Sequence, residues 1–148
     1  MIQRKQTLFL LAVAVIAIIQ IFIPFQIYTF NETSWQICLM PGCSADIISN
    51  NIYAPMIINN LVMVLSVAVI FLYRNRVLQY KLANLLILFN VFITGLFFLL
   101  PFVNVSPAGI INYSFGSFLP LVSAVFAFLA AHFIKKDEQL VRSADRIR

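Results

Sequence analysis

The sequence RNRVLQYK, at residues 74–81, decides the fold because it carries the only charged residues between Asp46 and Lys135. A long apolar run lies on each side of it. A Lys or Arg at the centre of a membrane-spanning helix costs about 2.5–3.5 kcal/mol. Residues 74–81 must therefore reach the surface of a bilayer, and the two flanking runs are predicted to cross it.

The composition indicates an integral membrane protein. Of the 148 residues, 62% are hydrophobic and only 10% are charged, and the mean hydropathy is +0.97. The calculated pI near 9.6 does not indicate a nucleic-acid partner, because the basic residues stand at the ends of apolar runs. The expected environment is a lipid bilayer.

Four apolar runs are long enough to cross the hydrocarbon, which takes about 20 residues in a helix. We predict spans at about 7–28, 55–73, 82–102 and 117–134, with a charged helical tail at 135–148. A cleaved signal peptide is the alternative for the first run, but that run is long and lacks a small-residue cleavage site. The predicted fold class is all-α, a single four-helix membrane bundle spanning residues 1–148.

Positive charge fixes the orientation. All ten Lys and Arg residues fall in the first six residues, in 74–81, or in the tail. The two loops on the opposite side contain none. Because cytoplasmic segments carry the excess of Lys and Arg, both termini and residues 74–81 are predicted to be cytoplasmic.

The first outer loop contains both cysteines, Cys38 and Cys43, with Pro41-Gly42 between them as a turn signal. A disulfide is permitted outside the cytoplasm, and closing so short a loop gives about 2 kcal/mol. We therefore predict a small, disulfide-closed extracytoplasmic loop.

Polar residues inside the spans are the first candidates for function. Among them are Gln20, Asn59 and Asn90. Amides of this kind hydrogen-bond between helices for about 0.6–2 kcal/mol each. They also suit a polar cleft open to the outside. No span contains Asp, Glu, Lys or Arg, which argues against ion-coupled transport.

Catalytic patterns are missing from the sequence. His132 is the single histidine, and no nucleophile–base pairing, metal-ligand spacing or phosphate loop accompanies it. We expect no enzymatic activity, no cofactor and no metal.

The tail mixes charges in a way that suits a protein surface. Asp137, Glu138 and Asp145 are the only acids on the cytoplasmic side. Together with Val141, Arg142 and Ala144 they form a candidate docking surface. A solvated helix end held by anionic lipid is the alternative.

Both ends of the chain resemble an uncharacterised bacterial family. The resemblance lies in Met1-Ile2-Gln3-Arg4 at the start, and in Ile134-Lys135-Lys136-Asp137-Glu138 with the following Leu140–Arg146. That family consists of small four-span inner-membrane proteins, so the resemblance implies a bacterial cytoplasmic membrane and no particular activity. Trp35-Gln36-Ile37-Cys38 is also similar to the Trp-x-x-Cys of claudin-type tetraspan proteins, which implies similar architecture alone.

The expected function is a non-enzymatic accessory or scaffold subunit of a larger membrane assembly, docked through span four and the tail. The alternative is a small carrier or lipid-binding protein with an outward-facing polar cleft.

Thiol labelling tests the orientation and the disulfide together. With an impermeant maleimide on spheroplasts, Cys38 and Cys43 should react only after an impermeant reductant is added. Val77→Cys, in a Cys38→Ser/Cys43→Ser background, should react only after the membrane is permeabilised. Reaction at position 77 in intact spheroplasts would reverse the orientation, and reaction of the native cysteines without reductant would exclude the bond.

Overall fold

The computed structural model describes residues 3–30, 33–40, 49–73, 75–104 and 110–145. The helices are α1 (Gln3–Phe22), α2 (Ser49–Phe71), α3 (Arg76–Asn104) and α4 (Leu119–Asp145). The strands are β1 (Gln26–Phe30), β2 (Thr33–Ile37) and β3 (Ile110–Tyr113), and a short 3-10 helix, Phe115–Phe118, leads into α4.

The four helices form an up-and-down bundle. Each is long and apolar enough to cross a membrane, which confirms a multi-pass membrane protein. α1 and α3 each pack against both α2 and α4. Helices adjacent in sequence are therefore neighbours in space, as expected when connections are short.

Each helix contributes a buried seam whose residues alternate three and four positions apart. The seams are Gln6, Leu10, Val13, Ala17 and Gln20 in α1; Ile52, Pro55, Asn59, Val62, Ser66 and Val69 in α2; Gln79, Ala83, Leu86, Asn90, Ile93, Phe97 and Leu100 in α3; and Ser123, Ala127, Ala130, Ile134 and Asp137 in α4. This is the heptad spacing of helices that pack in a left-handed bundle. Every seam contains at least two polar side chains.

A three-stranded antiparallel sheet closes one end of the bundle, in the order β2-β1-β3. Helices dominate, as the all-α prediction expected, and this small sheet is an addition to that prediction. β1 pairs with β2 through Tyr28 opposite Trp35, and with β3 through Gln26 opposite Tyr113. The sheet therefore joins the two loops that the sequence places on the same side of the membrane.

Pro24 explains why the first span is shorter than predicted. α1 ends at Phe22, and residues 26–28 of the predicted span belong to β1. Proline has no N–H to donate and disfavours helical geometry in the residue before it. The following Ile27, Tyr28 and Thr29 are β-branched or aromatic residues that favour a strand.

The sheet is packed directly onto the bundle. The rings of Phe25 and Phe97 stack with centroids 4.2 Å apart. Gln26 Nε2 donates a hydrogen bond of 2.6 Å to the Phe97 carbonyl oxygen, and Ser117 Oγ donates to the Phe25 carbonyl. β1 is thereby held against the end of α3.

The charged stretch is mostly helical rather than a turn. The connection between α2 and α3 is confined to residues 72–75. Asn75 caps α3, because its Oδ1 accepts a hydrogen bond of 3.4 Å from the Leu78 N–H. α2 also begins earlier than predicted, at Ser49, so Pro55 lies inside the helix instead of starting it.

The predicted disulfide cannot be followed in the structure. Cys38 is buried. Cys43 and the Pro41-Gly42 turn lie outside the described residues. The Cys38–Cys43 bond therefore stays a prediction.

Gly116 is required where the 3-10 helix crosses the end of α1. A Cβ at this position would lie 2.5 Å from the Pro24 carbonyl oxygen and 2.9 Å from its carbon. Because backbone atoms cannot turn aside, Gly116→Ala should lower the free energy of unfolding by about 1–3 kcal/mol. Unfolding of the purified protein in mixed micelles of increasing SDS content measures this.

Gly95 provides the matched control for that substitution. A Cβ at this position, within α3, would meet nothing within 4 Å. Gly95→Ala should leave stability unchanged or raise it by about 0.5–1 kcal/mol, because alanine restricts the unfolded chain. Equal effects of the two substitutions would contradict the close approach at Gly116.

Candidate functional site

A polar cluster joins the four helices at the end opposite the sheet. Its members are Gln6 of α1, Arg76 and Gln79 of α3, and Asp137 of α4, and we call it the basic-end cluster. Gln6 Nε2 donates to Asp137 Oδ2 and, at 3.2 Å, to the Phe133 carbonyl oxygen. These bonds connect α1 to α4.

The two α3 residues complete the connections. Arg76 Nη1 donates a hydrogen bond of 3.1 Å to the backbone carbonyl of Asp137. Gln79 Nε2 donates one of 3.2 Å to the Val69 carbonyl in α2. The cluster therefore ties α3 to both of its neighbours.

Asp137 is the chemically unusual member, because its carboxyl group is inside the bundle. The residue is only 5% exposed. Among the described residues, Oδ1 has no hydrogen-bond partner, and Gln6 is the side chain that donates to Oδ2. A buried carboxylate is costly unless hydrogen-bonded, so the Gln6 amide is a major stabilising contact.

The predicted intramembrane residues Gln20, Asn59 and Asn90 are all buried, each 2% exposed or less. Asn59 Nδ2 donates a hydrogen bond of 3.0 Å to the Ala17 carbonyl, which links α2 to α1. Asn90 Nδ2 donates one of 2.8 Å to the Leu86 carbonyl in its own helix. In this structure, the three residues do not line an open cleft.

Gln20 has a counterpart on α4. Gln6 lies opposite Asp137, and α1 and α4 are antiparallel. Gln20 is fourteen residues after Gln6, and Ser123 is fourteen residues before Asp137, so Gln20 and Ser123 lie at the same level of the bundle. Gln20 Nε2 and Ser123 Oγ are both buried without a partner among the described residues. Two unpartnered polar atoms therefore lie at one level of the bundle.

The tail residues separate into different environments. Asp137 faces inward, Glu138 is half-buried, and Val141 is exposed. Arg142, Ala144 and Asp145 continue the backbone of α4, but their side chains lie outside the described part of the chain. α4 thus runs without a break from the fourth span into the tail, and Asp137 lies away from the exposed surface.

Gln6 and Gln79 were not among the residues predicted from the sequence, although a signal was present. Both stand at seam positions, four residues before Leu10 and Ala83 respectively. Extending the three–four spacing of the apolar seam toward each helix end would have identified them. Within the described residues, no three His, Cys, Asp or Glu side chains come together.

A double-mutant cycle tests the central contact of the cluster. Gln6→Leu leaves the Asp137 carboxylate without its donor, so the free energy of unfolding should fall by about 1–3 kcal/mol. Asp137→Leu in the same chain should restore most of the loss, because both partners are then apolar. Unfolding in SDS-containing mixed micelles measures both single variants and the double variant.

Gln139→Leu is the control, since Gln139 is an exposed glutamine on the same turn of α4. It should change stability by less than about 0.5 kcal/mol. If Gln6→Leu is as destabilising in the Asp137→Leu background as in the native chain, the Gln6–Asp137 bond is not the stabilising contact.

Comparison with known proteins gives a family but no activity. A search among curated proteins finds no match. A family model described as a domain of unknown function (DUF4293) matches residues 2–147, nearly the whole chain. The resemblance to an uncharacterised family is thus confirmed, and the chain belongs to the DUF4293 family.

Proposed function

We propose that this protein is a non-enzymatic accessory or scaffold subunit of a larger membrane assembly. The proposed location is the bacterial inner membrane, with both termini and residues 74–81 in the cytoplasm. The observation that carries the proposal is the length of α4, which extends well beyond the hydrocarbon with apolar side chains exposed on it.

The dimensions of α4 support this proposal. Residues 119–134 measure about 24 Å at about 1.5 Å per residue, and the 3-10 helix adds about 8 Å. This matches a hydrocarbon thickness of about 30 Å and puts Lys135 at its edge. Residues 135–145 then extend about 16 Å further.

Apolar side chains are exposed on this extension. Val141 follows Ile134 and Asp137 in the seam spacing, yet it is 44% exposed, and Leu140 beside it is 50% exposed. Val141 stands four residues beyond Asp137, at the level where the described part of α1 begins. The apolar seam of α4 thus continues beyond the level at which the other described helices pack against it. An exposed apolar surface of this kind is suited to binding a partner protein.

The basic-end cluster supports the presentation of that surface. Gln6 and Arg76 hold α4 at Asp137, near the start of the extension. A helix anchored at its base keeps its projecting face in a fixed direction. Asp137 therefore contributes by positioning the extension, and the proposed contact residues remain Glu138, Val141, Arg142, Ala144 and Asp145.

One observation supports the alternative function as a carrier. Gln20 Nε2 and Ser123 Oγ are buried without a described partner, so the interior could hydrogen-bond a small polar solute. An outward cleft through Gln20, Asn59 and Asn90 would need the helices to separate, because all three are buried. We therefore place the scaffold function first.

Substitution of the exposed apolar pair tests the proposed docking surface. Leu140→Gln/Val141→Gln should insert and fold normally, because neither side chain is buried, but should lose most of the proteins that co-purify with the chain. Quantitative mass spectrometry after purification in mild detergent from the native membrane measures the loss. Ser143→Gln, an exposed change three residues from Leu140, is the control and should retain the same proteins. A full set of partners on the double variant would contradict docking at this surface.

A further inference from the structure

One face of α4 at the membrane edge forms a basic groove. His132, Lys135, Lys136 and Gln139 line an open volume of about 450 Å³. We propose that this groove binds the phosphate headgroup of an anionic membrane lipid. The inference goes beyond the scaffold function and concerns a different face of the same helix.

The structure turns Asp137 away from the two lysines of the tail. In sequence, Lys135 and Lys136 are followed directly by Asp137 and Glu138, which would repel an anionic lipid. Asp137, however, is turned into the bundle and bonded to Gln6, and Glu138 is half-buried. Both lysines are exposed. Among the described residues, the groove therefore presents two cations, and no carboxylate lines it.

The groove offers the right donors for a phosphate. Lys135 and Lys136 provide ammonium groups, which bind phosphate as point charges. The Gln139 amide and the His132 ring add N–H donors. Residues 132, 135, 136 and 139 follow the spacing that puts side chains on one helix face. A phosphate in the groove could thus be approached by two charged and two further donors.

The surface beneath the groove fits the rest of a lipid. Leu121, Val125 and Phe128 are exposed, and they lie on the same face as His132, at successive three- and four-residue steps toward the sheet end. This apolar stripe ends at the basic groove, and Lys135 lies at the calculated edge of the hydrocarbon. An acyl chain along the stripe would bring its own phosphate to the lysines. An acidic protein would have no use for the stripe, so the occupant is a lipid.

The groove and the exposed apolar pair, Leu140 and Val141, can be tested separately. Val141 lies about half a turn around the helix from His132 and Gln139, at about 100° per residue. Loss of the apolar pair at 140 and 141 should therefore leave lipid binding intact. Loss of the lysines should leave the partner proteins in place.

Native mass spectrometry of the purified full chain provides the experiment. The delipidated protein in detergent is mixed with phosphatidylglycerol or with phosphatidylcholine of the same acyl chains. The wild type should retain phosphatidylglycerol preferentially. Lys135→Gln/Lys136→Gln should weaken that retention about 30-fold, as expected for two lysines at an anionic lipid surface.

The matched control removes the same charge elsewhere. Lys5 and Lys81 are exposed residues near the same end of the bundle, on α1 and α3. Lys5→Gln/Lys81→Gln should keep the preference for phosphatidylglycerol, and Lys135→Arg/Lys136→Arg should keep it as well. If both glutamine variants lost phosphatidylglycerol retention equally, the effect would depend on net charge alone, and the proposed site would be overturned.

Two further results would also overturn the proposal. The first is a wild-type protein with no preference for phosphatidylglycerol, a measurement that needs no variant to fold. The second is a Lys135→Gln/Lys136→Gln protein that keeps its lipid but loses co-purifying proteins, which would make the groove a protein surface. Phe128→Ala supplies an independent check, because it should weaken lipid retention without changing the charge.

Discussion

The buried carboxylate of Asp137 sets the geometry on which much of the bundle depends. A carboxylate away from water must receive hydrogen bonds, and Gln6 is the described side chain that donates to it. That single bond fixes how α1 lies along α4. It brings Phe9 between Phe126 and Phe133, with ring centroids 6.2 and 5.5 Å away, and Gln20 level with Ser123. A shift by one turn would leave the carboxylate unpaired.

The two ends of the bundle are held by different means. At the basic end, side chains of α1 and α3 bond to backbone or side-chain groups of α2 and α4. At the other end, backbone pairing of β1 with β2 and β3 joins the connections. Since lipid gives little driving force for helices to associate, such polar contacts and close packing decide the arrangement. Among the described residues, the lipid-facing surfaces and the extension of α4 are exposed to other molecules.

Seam position explains why some candidate residues were predictable and others were not. The polar residues within the spans stand out against apolar neighbours, so Gln20, Asn59 and Asn90 were found from the sequence. Gln6 and Gln79 lie among charged and polar residues near helix ends, where a further polar residue does not differ from its neighbours. Only their spacing from Leu10 and Ala83 distinguishes them. The same limit applied to Asp137, which looks in sequence like part of a solvated tail.

The sequence by itself determined the number of spans, the segregation of positive charge to one end and the helical continuation of the tail. These are local properties, because hydropathy and charge depend on residue type and order alone. Only the tertiary structure decided that Asp137 faces inward while Lys135 and Lys136 face outward, and that β3 pairs with β1. Helices that are apolar on all sides carry little information about which side is buried. Pairing between strands far apart in the chain depends on how the helices between them pack.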